Sequence, residues 1–217
     1  MPKRIAMADS CRARSGGILQ RPQTFGVGRG FSLVEALIAV VIMGILLALA
    51  LPTVTSFMDN SRVRNAAEVF LTSVMTAKAE AAQRNAQVEV VLLADPTAAG
   101  LAVDGIAVAK GWAIRTADRA IFIDGMALVE GASTAASPVT VTGTDQDGGA
   151  LSGVIFTALG GTTLAKRASF DFSHDTGGAC VAGGGPIRCL RISVTTTGRA
   201  KLCDPSIADL TDTRSCN

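Results

Sequence analysis

The stretch GRGFSLVEALIAVVIMGILLALALP, residues 28–52, decides how the rest of the chain is read. From Phe31 to Leu51 it is a 21-residue apolar run interrupted only by Ser32, Glu35 and Gly44. At about 1.5 Å of rise per residue, a helix of that length spans a bilayer hydrocarbon core of about 30 Å. Glu35 does not fit a plain membrane span. An ionisable group in hydrocarbon costs about 2.5–3.5 kcal/mol on insertion scales, so its presence marks a functional position whose partner has to be found.

Working outward, the charge is divided unevenly. The 217-residue chain carries a formal net charge of +2. Residues 1–30 hold Lys3, Arg4, Arg12, Arg14, Arg21 and Arg29 against Asp9 alone, a net of +5, which leaves −3 for the remainder. Basic residues flanking a span favour the cytoplasmic side, so the segment after Pro52 is expected outside, in a bacterial periplasm. The cysteines agree with that orientation. Cys11 lies in the basic segment, and Cys180, Cys189, Cys203 and Cys216 all fall near the end of the chain. An even number of cysteines in an oxidising compartment predicts disulfides. Three connectivities are open, of which nearest-neighbour pairing, Cys180 with Cys189 and Cys203 with Cys216, is the simplest. Zinc is disfavoured, because no closely spaced cysteine pair occurs and His174 is the single histidine.

Three readings of the apolar run compete. A generic anchor explains the length and the basic flank but not Glu35. A secretory signal peptide finds a small-x-small cleavage pattern in Ala48-Leu49-Ala50, but the basic region before it is long and Glu35 interrupts the hydrophobic segment. The third reading uses the whole string. RG followed by FSLVE resembles the processing site of type IV prepilins and of the related pseudopilins of type II secretion, with Gly30, Phe31 and Glu35 at matching positions. That resemblance implies cleavage between Gly30 and Phe31 by a prepilin peptidase and N-methylation of the new Phe31 amine. It further implies that Glu35 pairs with the N-terminal amine of a neighbouring subunit during assembly.

Beyond Pro52, apolar residues recur at helical spacing, with Phe57, Val63, Ala67, Phe70, Leu71, Val74, Ala77 and Ala81 on one face. One helix is therefore expected over 31–87, its first half in the membrane and its second half packed on a domain. From Val88 the period changes. VEVVLL, GWAIR, RAIFID, MALVEG, PVTVTG, SGVIFTALG, ASFDFS and CLRISVTTTGRAKLC are short β-branched or aromatic runs punctuated by Gly, Pro, Asp and Asn. The expected fold is α+β: a long N-terminal helix on an antiparallel β-sandwich or split sheet. Trp112 is read as core. Residues 95–150 carry no recognisable motif.

The end of the chain resembles the GspH/FimT group of pilin-like proteins, through GVIFTALG (153–160), ASFDFS and RCLRISVTTTGRAKLC (188–203). The resemblance implies a leader over 1–30, the helix over 31–87 and a periplasmic β-rich domain over 88–217. FimT-like minor pilins of DNA-uptake pili carry a glycine-arginine-x-arginine motif in this region that contacts DNA. Here the string is GRAK, with Gly198, Arg199 and Lys201 in matching positions, and lysine keeps the charge while losing the bidentate fork. Arg188 and Arg191 lie nearby, and residues 186–217 hold five bases against Asp204, Asp209 and Asp212. A solvated strand end is the alternative for this basic tail.

Catalytic patterns are missing from the sequence. There is no G-x-S-x-G, no H-E-x-x-H and no phosphate-cradling glycine loop, and GGTTLAK lacks the required ending. His174 in FSHDTGG is read as part of a turn. The chain is thus expected to be a minor pilin or pseudopilin rather than an enzyme, with neither cofactor nor metal. Its implied partners are other pilin or pseudopilin subunits, the prepilin peptidase and the inner membrane. The alternative is a DNA-binding minor pilin of a transformation pilus, with duplex DNA as partner.

Overall fold

The computed structural model describes residues 32–94, 101–128, 138–175 and 177–216; within the helix, the side chains of 49–54 are outside the described set. Gly30, Phe31 and the leader therefore lie outside the described residues. The chain divides into two compact units, Met1–Leu46 and Leu47–Asn217.

A single helix, α1, runs 52 residues over Leu33–Arg84. Its backbone is helical through Pro52, so the proline does not end it. In the first unit every described residue is exposed, from Ser32 through Leu46. Among the described residues no helix is long and apolar enough to cross a membrane. The apolar run read from the sequence includes Phe31 and the side chains of 49–51, which are outside that set.

In the second unit the helix acquires a buried face. Val63, Ala67, Phe70, Val74, Ala77 and Ala81 are each at most 1% exposed, and their alternating spacing of four and three keeps them on one stripe of a 3.6-residue helix. Four of the eight buried positions among the described helix residues, Ala66, Ala67, Ala77 and Ala81, are alanine, which allows sheet backbone to approach closely. Asn85, at φ 50°, terminates the helix in a left-handed conformation, a position that asparagine tolerates better than most residues. Arg84 in the last turn pairs with Glu80 at 2.6 Å.

The strands form two antiparallel sheets. With β1 Val88–Leu93, β3 Gly111–Thr116, β4 Phe122–Ala127 and β6 Gly153–Phe156, the first has the order β4-β3-β1-β6. The second is β2-β5-β7-β8-β9, from β2 Val108–Ala109, β5 Val139–Asp145, β7 Ala168–His174, β8 Leu190–Val194 and β9 Ala200–Cys203. The runs RAIFID and MALVEG do not make two strands. They merge into β4, with a register shift opposite Ile114 and Arg115. The two-residue β2 was invisible in the sequence, being too short to show a period.

Helix and sheets meet at aromatic rings. Phe70 of α1 contacts Trp112 of β3 edge-on at 5.0 Å, and Phe170 and Phe172 of β7 at 4.9 and 5.5 Å. Such pairs add about 0.5–1.5 kcal/mol beyond area burial. The Trp112 indole N–H donates to Ser73 Oγ at 2.9 Å, so its one polar atom is satisfied inside the core. Strand β3 is buried along its whole length. Trp112 and Ile114 face the main core, while Ala113 on the opposite side packs with Val91, Leu93 and Phe122. Arg115 on that far side is 1% exposed; it pairs with its cross-strand neighbour Glu89 and donates to the carbonyls of Leu101 and Val103 at 3.1 and 2.8 Å. One buried guanidinium thus fastens the 101–103 segment over the sheet.

Candidate functional site

The first candidate is the exposed apolar helix. Glu35 lies in the first turn of α1, where a carboxylate is favoured by the amide dipoles of the helix N-terminus. It is exposed, and among the described residues it has no ionic partner. The residues around it, Leu33, Val34, Leu37 and Ile38, are all more than half exposed. Such a contiguous apolar surface marks a contact with lipid or with other protein.

The second candidate is built at the β8–β9 hairpin. The turn closes through Thr195, whose amide donates to the Arg199 carbonyl at 2.9 Å and whose carbonyl accepts from the Gly198 amide at 2.9 Å. Gly198 has φ 75°, and a Cβ there would lie 2.1 Å from the Gly160 carbonyl oxygen. Both backbone conformation and close approach therefore demand glycine. The Lys78 ammonium of α1 donates to the Gly198 carbonyl at 3.0 Å, tying the turn to the helix.

This braced turn presents Arg199, which is exposed. Arg199 and Lys201 line a groove of about 340 Å³ together with Arg167, Ser193, Thr195 and Thr213. Among the described residues no carboxylate side chain lines it. Lys201 is half-buried and donates to the Ser215 carbonyl at 2.8 Å, which anchors the C-terminal tail beside the groove. Ser169, Ser193 and Lys201 are successive register partners across β7, β8 and β9, so they share the outer face of the sheet. Arg167, the residue before β7, escaped sequence reasoning, because only strand pairing brings it beside a motif more than thirty positions away. Its position just before an alternating strand was the one available signal.

The other two predicted bases do not join the groove. Arg191 is a cross-strand partner of Asp171 and forms a bidentate pair with it, at 2.7 and 3.0 Å, which neutralises its charge. Arg188 lies on a different concavity of about 740 Å³ with Phe57, Asn60, Arg64, Leu190 and Leu202. Its amide donates to Asn60 Oδ1 at 2.6 Å, and its guanidinium approaches Asp204 at 3.5 Å. Phe57, placed on the buried helix face by its spacing, lines this open concavity and is 73% exposed.

The structure joins Cys180 to Cys189 and Cys203 to Cys216. The second bridge holds the tail against β9, and both of its cysteines line the cationic groove. In that tail, side-chain and backbone hydrogen bonds from Arg214 lower the Asp212 carboxyl from its ordinary 3.8 to about 2. Among the described residues no group of His, Cys, Asp and Glu is placed to hold a metal ion.

A family model described as a prokaryotic N-terminal methylation motif matches residues 28–51. A second, described as type II transport protein GspH, matches residues 66–198, more than half of the chain. No curated protein matches. The type IV minor pilin FimU of Pseudomonas aeruginosa, in two crystal forms, is 18% identical, with 97% of its chain covered. One form covers 68% of this chain at a TM-score of 0.45, the other 71% at 0.42.

Proposed function

Because the chain belongs to the family of type II transport protein GspH, we propose that it is a minor pilin or minor pseudopilin, held in the bacterial inner membrane until it is assembled into, or at the tip of, a filament. The methylation motif over 28–51 carries this reading, since it overlaps the start of α1, whose described residues through Leu46 are all exposed and mostly apolar. In this account a prepilin peptidase cuts between Gly30 and Phe31, and the new Phe31 amine is methylated. The basic segment before the cut stays cytoplasmic and the β-rich domain faces the periplasm. Glu35, costly in hydrocarbon on its own, is neutralised by the Phe31 amine of a neighbouring subunit. The charge pair then makes membrane storage reversible in favour of assembly. The protein's work is structural, priming assembly with other pilin or pseudopilin subunits.

Replacing Glu35 with alanine separates processing from assembly. Processing should proceed while incorporation into sheared filaments falls severalfold. Normal incorporation of Glu35→Ala would remove the role given to this residue.

A second reading, capture of duplex DNA, is favoured by the groove in which Arg167, Arg199 and Lys201 meet, with no carboxylate side chain among its described lining residues. Three phosphate contacts release about three counterions, so log K should fall with log[salt] at a slope of about −3. Binding to labelled duplex should weaken with salt and be lost in Arg199→Ala/Lys201→Ala. Binding indifferent to those two substitutions would assign the groove no role in DNA contact.

A further inference from the structure

The chain's single histidine is buried where two elements meet. His174 ends β7, and its side chain is 3% exposed. Nδ1 accepts a hydrogen bond from the Gly177 amide at 2.7 Å. An accepting Nδ1 places the proton of the neutral ring on Nε2. That atom is buried and unpaired, 3.3 Å from Asp59 Oδ1 of α1, beyond a good hydrogen bond.

The surroundings give the two ring nitrogens opposite duties. Gly177 opens the 177–189 loop, which the Cys180 to Cys189 bridge closes. The loop packs tightly on the imidazole, because a Cβ at Gly177 would lie 2.7 Å from Nδ1 and 2.8 Å from Ile187 Cδ1. Its other end is tied to the helix one residue beyond Asp59, through the Arg188 amide and Asn60. The charged groups facing the ring are Asp59, which Arg62 pairs at 2.8 Å, and Asp175, which pairs with Lys110 and accepts from Thr140 of β5.

We propose that His174 is a protonation latch that exchanges the Gly177 amide for the helix carboxylate of Asp59. The incoming proton goes to Nδ1, the same atom that accepts the Gly177 N–H. Two N–H groups cannot face each other at 2.7 Å, so the loop arm must leave. The imidazolium then holds Asp59 by charge as well as by its Nε2–H, a bond stronger than the neutral one it replaces. Acid therefore frees the start of the 177–189 loop and tightens the link between β7 and α1. The device is independent of whether the chain assembles or binds DNA.

Full-length protein in detergent, labelled with ¹³C-histidine, gives one resonance that reports when His174 titrates. Amide exchange of the 177–189 peptide, corrected for intrinsic pH dependence, should rise about tenfold across that same titration, the equilibrium equivalent of one lost hydrogen bond. Exchange around Asp59 should fall or stay constant. His174→Asn, whose Oδ1 stands in the place of Nδ1 and can still accept from Gly177 but does not titrate, should make loop exchange indifferent to pH. In Asp59→Asn, whose neutral amide no longer rewards the imidazolium, loop opening should move to lower pH. A loop whose exchange is unchanged while the histidine resonance shows protonation, or which keeps its pH dependence in His174→Asn, overturns the proposal, as does a histidine resonance that shows no protonation while the fold persists.

Discussion

Lys78 Nζ and the carbonyl oxygen of Gly198, 120 positions apart in sequence, are joined at 3.0 Å. The bond fixes the hairpin that carries Arg199 to α1. Gly198→Ala should destabilise the domain by about 1–3 kcal/mol, since the new Cβ meets the Gly160 carbonyl and φ is positive. Lys78→Met should cost less, about 1 kcal/mol. Thermal unfolding of the two variants checks the order, and a Gly198→Ala protein as stable as the parent would contradict it.

Glu89→Ala removes one carboxylate from the buried Arg115 guanidinium. Breaking a buried pair from one side costs about 3–5 kcal/mol. The loss should exceed that of Glu68→Ala, whose Arg64 partner is 71% exposed. Denaturant midpoints compare the two directly.

Phe70→Ala removes the ring on which helix and both sheets converge, and should cost about 3–5 kcal/mol. Phe57→Ala should leave stability within about 0.5 kcal/mol, because that ring lines an open concavity. Equal losses in chemical unfolding would show that Phe57 is covered after all.

The helix and most strands were legible because each shows its own period. The four-and-three spacing from Val63 to Ala81 marks a buried face, and runs such as ASFDFS alternate every second residue. Helical spacing alone does not fix the face. Phe57, six residues before Val63, stands about 120° around the helix from that stripe, and its neighbours are Arg188 and Leu202 across an open groove. Register was equally hidden. Arg191 reads as a free base until strand pairing sets it opposite Asp171, and Arg167 reads as an ordinary surface residue until pairing brings it to Arg199. The burial of Arg115 depends on a loop folding over the sheet, which no local pattern in GWAIR announces.

The tail should resist acid. The Asp212 carboxyl, held at about 2 mainly by the Arg214 side chain, contributes stability in full above its ordinary 3.8 and loses it as pH falls through about 2. Carboxyl-carbon NMR shifts of Asp212 should therefore begin to move only well below pH 4. In Arg214→Ala the midpoint should return toward 3.8. An unchanged midpoint in that variant would assign the effect to another group.

The most direct test of the account as a whole is the mass of the mature N-terminus. Protein purified from its native membrane should begin at Phe31 and carry one methyl group on the α-amine. A chain beginning at Leu51, after the Ala48-Leu49-Ala50 pattern, would contradict it, as would an uncleaved chain beginning at Met1.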